Sequence, residues 1–230
     1  MSEFSIITHL GLGDLILQSG LAVHFSKQYD KVYYPCRKRD YNSVRSFFLL
    51  QPKIEVEPID TDSPHPEERD LKEGSDALLL GFYGPEGMDK GISFAENFYR
   101  QAGVDYSVRW DLCPIQEVVD AFYLSDLGPY HPPWSFKHDD IKRGFQIDRP
   151  TGDGFEIEVS DSRSSILSYA PFMHWAHYIE VIDGPFLHLS ESIKIKDQGA
   201  HLRYHKYARP LSARYNDIDV PTRKKWTVLT

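Results

Sequence analysis

Cysteine is scarce. The 230-residue chain has two, Cys36 and Cys113, which make no disulfide framework, and it has no CxxC pair for zinc or redox work. No apolar run approaches the length of about 18 residues that a membrane-spanning helix requires. The N-terminal stretch MSEFSIITHLGLGD lacks a basic n-region, so a signal peptide is not expected and a cytoplasmic location is. Basic residues are in the minority, 26 Lys and Arg against 34 Asp and Glu, for a formal charge of −8. That balance argues against binding nucleic acid over the whole surface, which needs a concentrated basic face. There is no repeat at a solenoid period and no low-complexity tract.

What is present suits a globular chain of one domain or two compact ones, long enough to bury a core without disulfides or metal. Hydrophobic residues make up 41% and charged residues 26%. Aromatics reach 13%, which fits either a plain aromatic core or a concave site that holds rings and sugars. Charge is spread unevenly. Residues 194–230 carry nine Lys or Arg against three Asp, a surplus of six, so residues 1–193 carry −14. A basic end on an acidic protein is either a local anion site or a tail that pairs with the acidic body.

The apolar pattern predicts alternating strands and helices. Phe4–Leu10 reads as a buried strand, Leu15–Gln28 as a helix with a wide buried face, Lys31–Tyr34 as a strand ended by Pro35, Arg39–Leu50 as a helix and Ile54–Ile59 as a strand. This β-α-β-α-β opening is the sign of a parallel sheet with right-handed crossovers. A further strand at Ala77–Phe82 and helices at Ser93–Ala102 and Gln116–Asp126 complete a first half. Tyr130–Pro133, with paired prolines, reads as a boundary. Strands at Phe136–His138, Phe155–Ser160, His177–Ile182, Leu202–Tyr207 and Trp226–Leu229, with helices at Ser164–Ala176 and Pro185–Ile195, make a second half. The expected fold class is therefore α/β: two small Rossmann-like halves facing a cleft, an N-terminal one at residues 1–115, a linker at 116–133 and a C-terminal one at 134–230.

Four short stretches have the residue types that chemistry needs. Gly11-Leu12-Gly13-Asp14 lies at a strand-to-helix turn, where glycines let backbone approach a ligand and a helix N-terminus offers N–H groups. Ile16 stands where a dinucleotide fingerprint needs glycine, and no Walker lysine follows. What remains is Asp14, either a helix N-cap or a carboxylate at the carboxyl end of the first strand that accepts a proton from a hydroxyl. His138-Asp139-Asp140-Ile141-Lys142-Arg143-Gly144 is either a charged turn or a phosphate grip, with Arg143 giving bidentate bonds and Gly144 the turn. Asp183-Gly184-Pro185-Phe186 is a second strand–turn–helix junction, with Pro185 suited to the first helical position and backbone N–H groups turned toward a diphosphate. His188 in that helix reads as a core histidine. Lys206 and Arg209, in Tyr204–Pro210, are either surface cations or phosphate ligands at a sheet edge.

Taken in order, these stretches resemble the GT-B type glycosyltransferases. Gly11–Asp14 after the first strand looks like the opening of the heptosyltransferase-like members. His138–Gly144, His177–Leu189 and Tyr204–Pro210 resemble the second half of compact glycosyltransferases of marine phages and bacteria, whose pattern reads HDDxxRGF, HxIDSSFxHL and a YHKYARP-like close. Gly184-Pro185 departs from it, replacing two small hydroxyl residues and leaving the backbone to supply their bonds. The resemblance implies transfer of a sugar from a nucleotide-sugar to an acceptor hydroxyl. It implies Asp14 as general base beside the acceptor-side glycines Gly11 and Gly13. It implies donor contacts from Asp140, Arg143, Gly144, Asp183, Gly184, Phe186, Lys206 and Arg209, with Phe145, Phe186 and Tyr207 stacking on base or sugar. No metal and no other cofactor is expected, since fixed cations do that work. The alternatives are a non-catalytic nucleotide- or sugar-binding module and another α/β phosphate-handling enzyme, the latter suggested by Asp139-Asp140 and ten histidines.

Overall fold

The computed structural model describes residues 2–8, 11–60, 76–81, 87–124, 134–139, 147, 155–158, 165–196, 198–206 and 219–229. The chain forms two compact units. Unit 1 holds Met1–Val118 and Ile218–Pro221, and unit 2 holds Val119–Asp217 and Thr222–Thr230. Each is built on a parallel sheet with helices between strands, an α/β architecture of Rossmann-like kind. Among the described residues no helix is long and apolar enough to cross a membrane.

Unit 1 contains β1 (Glu3–Ile7), α1 (Leu12–Ser26), β2 (Lys31–Arg37), α2 (Tyr41–Phe47), β3 (Ile54–Ile59), β4 (Asp76–Leu79), α3 (Phe94–Gln101) and α4 (Val108–Asp111). The sheet order is β3-β2-β1-β4, all parallel. Phe4 and Ile6 share a face of β1, and Phe4 stacks on Phe25 of α1 with centroids 4.4 Å apart. On the same face of β2, Tyr34 is fully buried and its Oη donates to the Leu15 carbonyl of α1 at 2.8 Å. The helix is buried on nearly all sides from Leu15 to Val23, as an apolar helix inside a layered core must be. Across it, Tyr99 Oη donates to the Leu17 carbonyl at 2.7 Å.

β2 runs through Pro35 rather than stopping before it. The β1–β2 pairing ends at Ser5–Tyr33, so beyond Tyr33 the strand pairs with β3 alone, and a residue without an N–H is tolerated there. The helix expected at Arg39–Leu50 is shorter, a 3₁₀ turn at Lys38–Asp40 leading into α2.

A helix, α5 (Ile115–Phe122), crosses the boundary between the units. Its Val118 and Val119 are fully buried, so the first part of the segment expected to be a linker is packed secondary structure. Unit 2 continues with β5 (Trp134–His138), β6 (Phe155–Glu158), a 3₁₀ turn at Ile166–Tyr169, α6 (Ala170–His174), β7 (Tyr178–Ile182), α7 (Pro185–Ser192), β8 (His201–His205) and β9 (Thr227–Leu229). Its sheet order is β6-β5-β7-β8-β9, again all parallel. Phe136, Ile179, Val181, Leu167, Met173, Leu187 and Leu189 form its core.

Strand order reverses between β1 and β4 in unit 1 and between β5 and β7 in unit 2. Open α/β sheets bind ligands outside the carboxyl ends of the strands at such points. The two reversals place Thr8, Gly11 and Gly81 in unit 1, and His138, Asp139, Ile182 and Asp183 in unit 2, where a ligand is expected.

Candidate functional site

In unit 1, Gly11 occupies the N-cap position of α1 with extended backbone, φ −66° and ψ 134°. Asp14 is therefore the third residue of the helix and not its cap, a correction to the N-cap alternative. Gly13 is the second helical residue. A Cβ placed on Gly11 would lie 2.7 Å from Asp14 Oδ2, so the carboxylate folds back over the glycine. The charge of Asp14 thus already sits against the positive end of the helix, which leaves that end poorly suited to a second anion. Burial pushes the Tyr34 phenol well above its usual range, and the negative charge of Asp14 adds to the shift.

The other side of this strand reversal is rigid. Gly81 follows β4 with φ 71°, a conformation that favours glycine. The side chain of Gln101 on α3 grips its peptide from both ends. Gly81 N–H donates to Gln101 Oε1 at 2.6 Å, and Gln101 Nε2 donates to the Gly81 carbonyl at 3.0 Å. One turn earlier, Asn97 exchanges two bonds with the backbone of Asp89. These amides stand in for a strand partner and fix the approach to the edge.

In unit 2, Asp183 and Gly184 form the turn between β7 and α7, with Gly184 in extended backbone. Pro185 at the first helical position has no N–H. The N–H groups of Leu187 and His188 donate back to the Gly184 carbonyl at 3.1 and 3.4 Å. The His188 bond is the ordinary first bond of the helix, so it is the proline and the bonded Leu187 N–H that leave the turn fewer donors for a diphosphate than an open helix end has. Phe186 is buried in an aromatic cluster with Phe136, His138 and Tyr169, at centroid distances of 5.4, 4.4 and 5.3 Å. Its ring is committed to the core rather than presented to a base or sugar. His188 is also buried, in keeping with a core histidine. Lys206 follows β8 directly at the carboxyl edge. Asp140, Arg143, Gly144, Phe145, Tyr207 and Arg209 lie outside the described residues.

The same edge of unit 2 carries charged residues not singled out from the sequence. Lys137, Glu180 and Arg203 are register neighbours on β5, β7 and β8. Asp139 and His205 follow two residues further on, on the same face. Phe136 and His138 point to α7, so this charged row lies on the opposite face. Lys137 Nζ is 3.4 Å from Asp139 Oδ2. Glu180, only 4% exposed, accepts from His205 Nε2 at 2.8 Å and lies 3.7 Å from Arg203 Nη1. Parallel strands inside α/β proteins are ordinarily apolar on both faces, and a departure from that rule is where function is expected. The signal was legible: a lone Glu in YIEVI, and charges at alternate positions in FKHD and HLRYH.

Compared with protein families, with curated proteins and with solved structures, the chain matches none. The site is therefore read from its own chemistry.

Proposed function

We propose that the protein is a glycosyltransferase of the GT-B type, moving a sugar from a nucleotide-sugar donor to an acceptor hydroxyl, with unit 1 serving the acceptor and unit 2 the donor. The observation that supports it is the charge each unit carries at the carboxyl edge of its own sheet. Unit 1 sets a carboxylate, Asp14, after the carboxyl end of β1, and unit 2 sets a cation, Lys206, at the carboxyl end of β8. In this reading Asp14 takes the proton of the acceptor hydroxyl as its oxygen attacks the anomeric carbon. The sugar–phosphate C–O bond breaks, its electron pair stays on the diphosphate, and Lys206, with Arg143 and Arg209, meets that charge without a metal.

Calorimetry against nucleoside diphosphates and nucleotide sugars tests the reading. At least one is expected to bind, and Asp14→Asn is expected to keep that binding while transfer falls by about a hundredfold or more. Folded protein that binds none of them overturns it. A second reading, a nucleotide-binding module without turnover, is favoured by the proline at the head of α7 and by the Leu187 donor turned back on Gly184. Binding with no transfer, unchanged by Asp14→Asn, would select it.

A further inference from the structure

Glu180 is a buried carboxylate that has kept one oxygen in reserve. Its Oε1 takes the bond from His205 Nε2 at 2.8 Å, while Oε2 is buried without a hydrogen-bond partner among the described residues. Arg203 is its direct neighbour in register, yet stands further off at 3.7 Å. A purely structural ion pair in such a place would be a costly way to hold a sheet together, because two desolvated charges rarely repay their burial unless every lone pair is used. The imidazole is held differently from the carboxylate. His205 is the last residue of β8, partly exposed, and its Nδ1 has no partner among the described residues. With Nε2–H committed to Glu180, Nδ1 is the ring nitrogen left for a ligand, on the last residue of β8 and one residue before Lys206.

A carboxylate that fixes one ring nitrogen of a histidine and leaves the other at a ligand-binding edge is an oriented acid–base group. We propose that Glu180 and His205 form a proton-transfer dyad in unit 2, with His205 the catalytic residue acting through Nδ1 on a phosphate oxygen and Glu180 the residue that positions it. The inference rests on the transferase reading and adds to it the fate of the leaving group. The sugar–phosphate C–O bond breaks, the electron pair remains on the bridging oxygen, and that oxygen takes the proton from Nδ1 of the imidazolium, leaving His205 neutral. The proton lost by the acceptor hydroxyl goes to Asp14, and exchange with water resets both groups. Glu180 balances the imidazolium charge before the step. The charged and titratable groups on that face include Lys137 and Arg203, flanking Glu180 in register, Asp139, paired with Lys137, His201, two residues before Arg203, and, by register with Lys137, the β6 position of Glu158.

The test is 15N NMR of the histidine rings in the whole protein, with the His205 signals assigned from His205→Gln and inorganic pyrophosphate as the probe. In the neutral ring the proton is expected on Nε2, and pyrophosphate is expected to move the Nδ1 signal to the protonated position. Glu180→Gln is expected to abolish the tautomer preference. His205→Gln is expected to weaken pyrophosphate at least tenfold, with unchanged melting, and to slow transfer about a hundredfold. Should Glu180→Gln not fold, the wild-type ring signals and His205→Gln decide the matter. Pyrophosphate binding with Nδ1 unmoved and His205→Gln binding as well as wild type overturns the dyad and leaves the transferase reading standing. Absence of binding by pyrophosphate and by every nucleotide overturns both.

Discussion

At the scale of single residues, burial decides which groups keep their protons. Cys36 lies on β2, wholly inside unit 1, and burial pushes its thiol from the ordinary value near 9 up to about 12, with the charge of Asp40 adding to the shift. Tyr34 and Tyr99 are moved in the same direction, chiefly by burial. Each of these groups holds its proton in the folded chain at a pH where the unfolded chain has released it. The unfolded state then binds fewer protons, and stability falls as pH rises. For Cys36 the window opens near pH 9 and runs to about 12. Denaturation midpoints measured from pH 8 to 10.5 are expected to decline steadily. In Cys36→Ala the starting stability is lower because a buried sulfur is lost, but the decline over that range is shallower. An equal slope in the two proteins would show that the thiol is not the titrating group. A thiol reagent at pH 8 is expected to modify the half-buried Cys113 and to spare Cys36 until the chain unfolds.

At the scale of elements, close approach of backbones matters more than side-chain chemistry. Gly20 lies in the middle of α1 where α4 crosses it. A Cβ there would meet the Val108 carbonyl oxygen at 2.5 Å and Arg109 Cα at 3.2 Å. Both obstacles are backbone, so nothing can swing aside, and Gly20→Ala must push the helices apart. The expected cost is about 1–3 kcal/mol despite the better helix propensity of alanine, read from urea unfolding. A variant as stable as wild type would mean that α4 is not held against α1. This contact also marks what the sequence does not disclose. The short apolar run in FSII, the alternation in IEVEPI and the capping box at Ser93 and Glu96 are local, and the strands and α3 follow from them. Gly20 sits in a helical pattern with nothing to distinguish it, because its reason is 88 residues away in α4. The candidate site divides in the same way. Asp14 stands out in the sequence because it lies beside its own turn. The Glu180–His205 bond joins residues 25 apart, and only the register of β7 with β8 brings them together. Phe186 misled for the converse reason: an aromatic beside a glycine turn looks like a ligand platform, and only Phe136 and Tyr169 show that its ring completes the core.

At the scale of the whole molecule, the last thirteen residues serve both units. Ile218–Pro221 belong to unit 1 and Thr222–Thr230 to unit 2. In unit 1, Arg109 is 4% exposed, lies over the Tyr106 and Trp110 rings at 5.7 and 5.1 Å, and donates from Nη1 to the Pro221 carbonyl at 2.9 Å. In unit 2, Glu191 at the end of α7 is 5% exposed and accepts three bonds from the returning chain. These come from Arg223 N–H at 2.6 Å, Lys224 N–H at 3.3 Å and Trp226 Nε1 at 2.6 Å. A buried carboxylate is tolerable only while such donors surround it. The surplus of basic residues at this end of the chain is thus spent in part on internal anchorage, since Lys224 Nζ also donates to the Ser190 carbonyl. Two changes separate the roles of the segment. Glu191→Ala removes the unit 2 anchor alone and is expected to cost about 2–4 kcal/mol, the range for several charge-assisted bonds lost from a buried site. Ending the chain at residue 217 removes β9 and also leaves Arg109 buried without its carbonyl. Hydrogen exchange is expected to show faster opening of unit 2 only in Glu191→Ala, and of both units in the shortened chain. If the shortened chain leaves α1 and α4 as protected as before, Arg109 does not depend on Pro221, and the return of the chain to unit 1 is passive.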